Sequence, residues 1–233
     1  MGVEPYGDDS LKEALKSTTD SYYDFVIKNG EFIGAFEEMY KVHLGPWHQS
    51  DHSNINDPAR KAIQDWIGIA CRGRALKVVE LGCGYGHLTS AIKEIDGAQP
   101  TGIDISETAI ARAKTLYPNC KFQVGQFDDW EVLNKIYPDI FILADISWYV
   151  LPRLEKFISD LRVFASSRSV PTFLLHVVTT YPPGVQEYGN EYFTEHSEII
   201  EFFGFQCLQD SEFKAHGDVQ HGTKRSFVVF RVV

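Results

Sequence analysis

Four cysteines and two methionines are all the sulfur this 233-residue chain carries. Cys71, Cys83, Cys120 and Cys207 form no C-x-x-C pair, which excludes zinc-ribbon spacing and a small disulfide scaffold. A reduced, cytoplasmic setting is the expectation. Positive charge is also scarce: 22 Lys and Arg stand against 32 Asp and Glu, a net charge of −10. Non-specific nucleic-acid binding needs a basic surface, and the only adjacent basic pairs are Arg60-Lys61 and Lys224-Arg225. No apolar run approaches the length that crosses a bilayer. The first ten residues hold Glu4, Asp8 and Asp9 and no Lys or Arg, which argues against a signal peptide. Repeats and low-complexity tracts are missing as well. What the chain does have is 44% hydrophobic and 13% aromatic content, enough to bury a substantial core.

Taken in order, residues 1–9 read as a loose tail. Ser10–Ser17 and Asp20–Lys28 read as short helices, and Glu31–Tyr40 has apolar residues at helical spacing. Gly45-Pro46 breaks that pattern and leaves Trp47, His48 and His52 in a polar loop. Asp57-Pro58 is a helix start, with Asp as the N-cap and Pro at the first helical position. Its apolar face is Ala62, Ile63, Trp66, Ile67 and Ala70. The expectation is an N-terminal helical cap or lid over residues 1–74.

From residue 75 the pattern alternates. Strands are predicted at 77–81, 102–104, 121–124, 140–144 and 172–178. Helices fall at 86–95, after Ser106, at 130–136, 151–165 and 195–203. A final polar-linked pair, 205–208 and 226–232, lacks a crossover helix and is expected to pair antiparallel. The fold class is therefore α/β: a Rossmann-like, doubly wound, mostly parallel seven-stranded sheet closed by an antiparallel C-terminal hairpin, over 75–233.

The organising stretch is Lys77–Gly86, KVVELGCGYG. A short apolar strand runs into glycines at 82, 84 and 86, which permit positive φ and close backbone approach to a ligand. Glu80 puts a carboxylate at the strand's exit, where a pyrophosphate would be repelled and a cationic ligand would not. The dinucleotide fingerprint is G-x-G-x-x-G; here the spacing is G-x-G-x-G, and His87 stands where the longer form needs glycine. Asp104, about 20 residues beyond the glycines, suits the two ribose hydroxyls of an adenosine.

Glu80, Gly82, Gly84 and Gly86 match the first motif, E/D-x-G-x-G-x-G, of the class I S-adenosylmethionine (SAM)-dependent methyltransferases, and the chain resembles that family over about 75–233. The resemblance implies SAM as cofactor and S-adenosylhomocysteine as product. It implies cofactor contacts from Glu80, Gly82, Cys83, Gly84, Gly86, Asp104 and Ile105. It also implies contacts from Gln126, at the place of an adenine-binding acid, with Asp128 as the alternative, from Phe127 over the ring, and from Asp145, to the ammonium of the methionine portion or to a polar group of the substrate. Trp148 and Tyr149 would stand as walls beside the sulfonium and the acceptor. The amino-terminal segment, Tyr22-Tyr23 through Pro46-Trp47, resembles that of small-molecule methyltransferases such as the nodulation N-methyltransferases. That ranks a sugar or biosynthetic intermediate first among acceptors, with Trp47 contacting it.

Methylation of a hydroxyl or ammonium requires a proton acceptor, and His is suited near neutral pH. Of eight histidines, His48 in the Gly-Pro-Trp-His turn is the candidate base. His43, His48, His52 and Asp51 have no metal-ligand spacing, so no metal is expected. The reading is an O- or N-methyltransferase for a small polar metabolite, a monomer or homodimer without nucleic-acid or membrane partners. An NAD-dependent oxidoreductase and a non-catalytic SAM-binding protein are the alternatives.

Overall fold

The computed structural model describes residues 22–28, 31–48, 57–185, 188–215 and 222–233. The helix expected at Ser10–Ser17, together with Asp51, His52, His216 and His221, lies outside the described residues.

One seven-stranded sheet carries the fold. Its strands are β3 (Leu76–Leu81), β4 (Ala98–Asp104), β5 (Lys121–Val124), β6 (Ile140–Ala144), β7 (Thr172–Thr180), β8 (Gln206–Lys214) and β9 (Lys224–Val232). They lie in the order β5–β4–β3–β6–β7–β9–β8. The first five in that order are parallel; β9 runs antiparallel to β7, and β8 antiparallel to β9. Before the sheet, β1 (Ile27–Lys28) and β2 (Glu31–Phe32) pair antiparallel.

The α-helices among the described residues are α1 (Phe36–Val42), α2 (Pro58–Ala70), α3 (His87–Lys93), α4 (Glu107–Leu116), α5 (Trp130–Ile136), α6 (Ser147–Ser166) and α7 (His196–Phe203). Their starts follow from local chemistry. Asp57, Ser106 and Asp129 accept from Arg60, Ala109 and Val132 N–H respectively, each filling a donor that a helix end leaves open. Glu195 and Glu198 form a capping box on α7, and Gly204 ends that helix at φ 58°.

The helices sandwich the sheet. On one face Leu151, Leu154, Phe157, Ile158 and Leu161 of α6, with Phe203 of α7, cover Val79, Phe141 and Phe230. On the other, Ala59, Ile63 and Ile67 of α2 and Ile92 of α3 cover Val78, Ile142, Val177 and Phe227. That second layer corrects one expectation: α2, assigned to an amino-terminal cap, shares the sheet's own core, because its apolar stripe has β3, β6, β7 and β9 to bury against. A second correction concerns Glu31–Tyr40. Gly34 adopts φ +70° and divides the segment, so 31–32 pair as a strand and the helix begins only at Phe36. α6 begins at Ser147, four residues ahead of expectation, and carries Pro152 within it. No helix among the described residues is long and apolar enough to cross a membrane.

Candidate active site

Parallel sheets open their ligand crevice at the carboxyl ends of the strands, where helices diverge. Here β3 exits into the glycine loop, with Gly82, Gly84 and Gly86 at φ 72°, 52° and 77°. A Cβ on Gly82 would sit well inside the van der Waals radius of the Ile146 side chain. The loop is anchored from β4, as Gly82 and Cys83 N–H both donate to Ile103 O at 2.7 and 2.9 Å. Cys83 is buried, which pushes its thiol well above the ordinary range, so it is a small packing residue.

Two carboxylates stand beneath this loop. Glu80 is buried and accepts a short hydrogen bond from Thr89 Oγ1. Burial raises its pKa to about 7, opposed by Thr89 and by the positive field of Arg60. Asp104, 7% exposed, accepts from Gly84 N–H at 2.8 Å and from Ser106 N–H at 2.9 Å. Burial raises its pKa as well, against those two N–H donors. Beside it Ile105 is 53% exposed, an uncovered apolar surface at the mouth of the crevice.

Asp145 follows β6 with φ 64°, a left-handed conformation that a non-glycine residue adopts at a cost. Its carboxylate takes two bonds from Arg225, Nη1 to Oδ1 at 2.5 Å and Nη2 to Oδ2 at 2.8 Å, and one from Arg60 at 3.3 Å. Burial pushes Asp145 up, but the two guanidiniums outweigh it and hold the group below its ordinary value. Arg225 also reaches Thr179 Oγ1 at 2.8 Å and Asp57, the N-cap of α2. Arg60 Nε is buried with no acceptor among the described residues. Neither arginine has a motif around it; Arg60–Asp145 and Arg225–Asp145 are 85 and 80 residues apart in the chain. The adjacent pairs Arg60-Lys61 and Lys224-Arg225 were the one available hint.

Across the mouth lies the segment from α1 to the 3-10 turn Pro46–His48. Tyr40 packs on Tyr85 of the glycine loop at 5.3 Å between centroids, and the Tyr85 hydroxyl donates to His43 O. Phe36 and Trp47 pack on Tyr149, at the start of α6, at 5.6 and 5.8 Å.

The remaining sequence-predicted residues divide. Tyr149 and Trp47 meet at the mouth. Trp148 does not: it is buried against Phe193 and donates through Nε1 to Thr179 O, so it belongs to the core. Phe127 is likewise buried, with Phe157 on one side and the Arg153 guanidinium over its ring, because the loop after β5 folds its one large apolar side chain inward. Gln126 is exposed. The His48 backbone closes the 3-10 turn; its side chain lies outside what is described. His176 is fully buried and bonded to Ser147 Oγ, and burial lowers it to about 3, so it stays neutral and structural.

Strand order, terminal hairpin and glycine-rich exit together define a Rossmann-like methyltransferase fold of class I. Residues 78–164 match the family model described as methyltransferase domain. Among curated relatives, trans-aconitate 2-methyltransferase of Variovorax paradoxus (strain S110) is 24% identical over 155 residues, 62% of this chain and 60% of that protein. The Escherichia coli O17:K52:H18 protein of the same name is 31% identical over 94 residues, 38% of this chain and 37% of that one. The matches thus span less than two thirds of either relative. Among solved structures, the N-methyltransferase NodS from Bradyrhizobium japonicum WM9, in complex with S-adenosylhomocysteine, superposes with TM-score 0.61 at 14% identity, covering 91% of this chain and 99% of that one. The [4+2]-cyclase SpnF superposes at 0.54 and 11% identity over 73% and 79% of the two chains.

The residues present fit SAM. The glycine loop brings bare backbone to the crevice, Asp104 and Glu80 supply carboxyl groups, Ile105 offers an apolar face, and Arg60 Nε has no acceptor among the described residues.

Proposed function

We propose that the protein transfers a methyl group from SAM to an oxygen or nitrogen atom of a small polar metabolite. The observation that carries this is the exit of β3: three glycines at positive φ above a buried carboxylate pair, under an aromatic segment that contacts the loop itself. Such a mouth suits adenosine joined to a cationic centre and disfavours a diphosphate, because like charges repel in a low-dielectric site. When bound, SAM supplies an activated methyl group and a neutral thioether leaving group.

The protein's part is holding and positioning. Gly82, Gly84 and Gly86 would let the loop backbone approach the cofactor. Asp104, with two backbone donors already spent on it, keeps lone pairs for the ribose hydroxyls. Ile105 would lie against the adenine, and Gln126, exposed in the loop after β5, would add a polar contact to it. Arg60 would meet the amino-acid carboxylate, since its Nε is a buried cationic donor with no hydrogen-bond acceptor among the described residues. Glu80 stabilises positive charge through the loop above it, and Asp145 orients Arg60 rather than contacting ligand directly. Tyr149, Trp47 and Phe36 exclude water from the acceptor side and offer ring faces to a cation. His48 remains the proposed proton acceptor.

Calorimetry with SAM, S-adenosylhomocysteine and NADH tests the cofactor; binding of the first two and not the third is expected, and NADH binding alone would overturn the proposal. Acceptors are then screened by mass-spectrometric detection of S-adenosylhomocysteine. The panel holds a tricarboxylate, because the curated relatives are named for trans-aconitate, and an amine-bearing sugar, because NodS is named an N-methyltransferase.

A further inference from the structure

Glu37, on α1, makes contacts that lie outside the glycine motif and outside the roles assigned above. Its Oε2 accepts from Ser106 Oγ at 2.6 Å and from Thr108 N–H at 3.2 Å, and its Oε1 accepts from Thr108 Oγ1 at 2.8 Å. Lys41, one turn along α1, stands 3.3 Å away. Ser106 is the N-cap of α4 and its own N–H is bonded to Asp104. Asp104 in turn holds Gly84 N–H. A continuous chain therefore runs from α1 through Ser106 and Asp104 into the glycine loop: lid carboxylate, helix cap, ribose-side carboxylate, loop backbone. It couples elements 20 to 71 residues apart in sequence.

We infer that Glu37 is a positioning residue: it latches the α1 segment over the mouth of the crevice and thereby fixes Ser106 and Asp104, so that release of the cofactor requires the latch to break. The inference rests on the SAM-binding reading above. Three observations support it. The carboxylate sits at the positive end of α4, where its interaction with the helix N-terminus is favourable. The Ser106 hydroxyl, and after it Thr108 and Lys41, draw its pKa down to about 2 against the opposing effect of burial, so the latch is charged throughout the working pH range. The same segment also touches Tyr85 and Tyr149, the other two walls of the mouth, through ring packing and a hydrogen bond from the Tyr85 hydroxyl to His43 O. Glu37 adds an ionised contact to that closure. A contact that exists only when the lid is shut slows departure more than arrival.

Stopped-flow displacement of S-adenosylhomocysteine, read by tryptophan fluorescence, tests this on the full chain. E37A is expected to release ligand about tenfold faster, within the range usual for coupled sites, with the association rate changed less than about twofold. E37Q keeps an acceptor for the Thr108 hydroxyl and should recover part of the loss. T108V should fall between E37A and wild type. Wild-type failure to bind would sink the cofactor reading itself. Wild-type binding with an E37A dissociation rate equal to it would sink the latch alone. If E37A does not fold, T108V decides: faster release supports the latch, and an unchanged rate overturns it.

Discussion

Replacing Arg225 with methionine is the sharpest perturbation of the site's frame. The side chain is 11% exposed and makes two bonds to Asp145, one to Thr179 and an ion pair with Asp57 at 3.3 Å. Met keeps the apolar stem and removes the charge. Asp145, 27% exposed, would retain only the long contact to Arg60 at 3.3 Å, and the 9%-exposed Asp57 would face it with no cation between. Removing one member of a buried pair leaves the other uncompensated, at about 3 to 5 kcal/mol; the partial exposure of Asp145 favours the lower end. For a chain of this size each kcal/mol moves the melting point by about 2 to 4 °C, so R225M should melt roughly 6 to 12 °C lower. Circular dichroism melts of the cofactor-free protein measure this. R225M/D145N, which removes both ends of the bidentate pair, should regain part of the loss, since the penalty comes from an unpaired charge rather than from missing attraction. A single variant melting within about 2 °C of wild type would refute the claim that this network is desolvated.

Gly82→Ala should weaken cofactor binding at least about tenfold and lower the melting point, because φ 72° disfavours a side chain and the new methyl collides with Ile146; adding I146A should restore stability more than affinity, as calorimetry alongside melting would register. Asp104→Ala should reduce SAM affinity by about tenfold or more, a charged hydrogen bond contributing about 1.5 to 3 kcal/mol, and unchanged affinity would mean the ribose lies elsewhere. Glu80 gives a pH signature. Its folded pKa of about 7 lies above the ordinary 4.5, so the cofactor-free fold holds an extra proton between those values and loses stability as pH rises through that window. E80Q should flatten the difference, and parallel melting curves for the two proteins across the window would contradict it.

Much of the fold could be read along the chain because each strand is a short apolar run and each helix carries its own start signal. β5, β6 and α5 begin and end where periodicity placed them. The glycine positions were legible for the same reason: Gly82, Gly84 and Gly86 do adopt the positive φ that their spacing suggested. What stayed hidden depends on tertiary contact. Trp148 and Phe127 look the same in sequence whether a ring faces a ligand or a neighbouring helix; only the packing of Phe193 and Phe157 decides it. Glu37 carries no sequence signal of its role, since nothing near it announces that Ser106 and Thr108 will stand opposite. Arg60 and Arg225 are the clearest case, because their shared partner Asp145 comes from a third part of the chain. The first turn of α6 was missed because Asp145-Ile146-Ser147 has loop chemistry, and Asp145 indeed takes a left-handed turn just before that helix begins.

The placement of β9 has a temporal corollary. It wedges between β7 and β8, so the sheet stays split until the ribosome has delivered residues 224–232. Nascent chains lacking them would carry the glycine loop already synthesised yet leave Asp145 without its principal counter-ion, so competence to hold a ligand should switch on late in translation rather than grow with length.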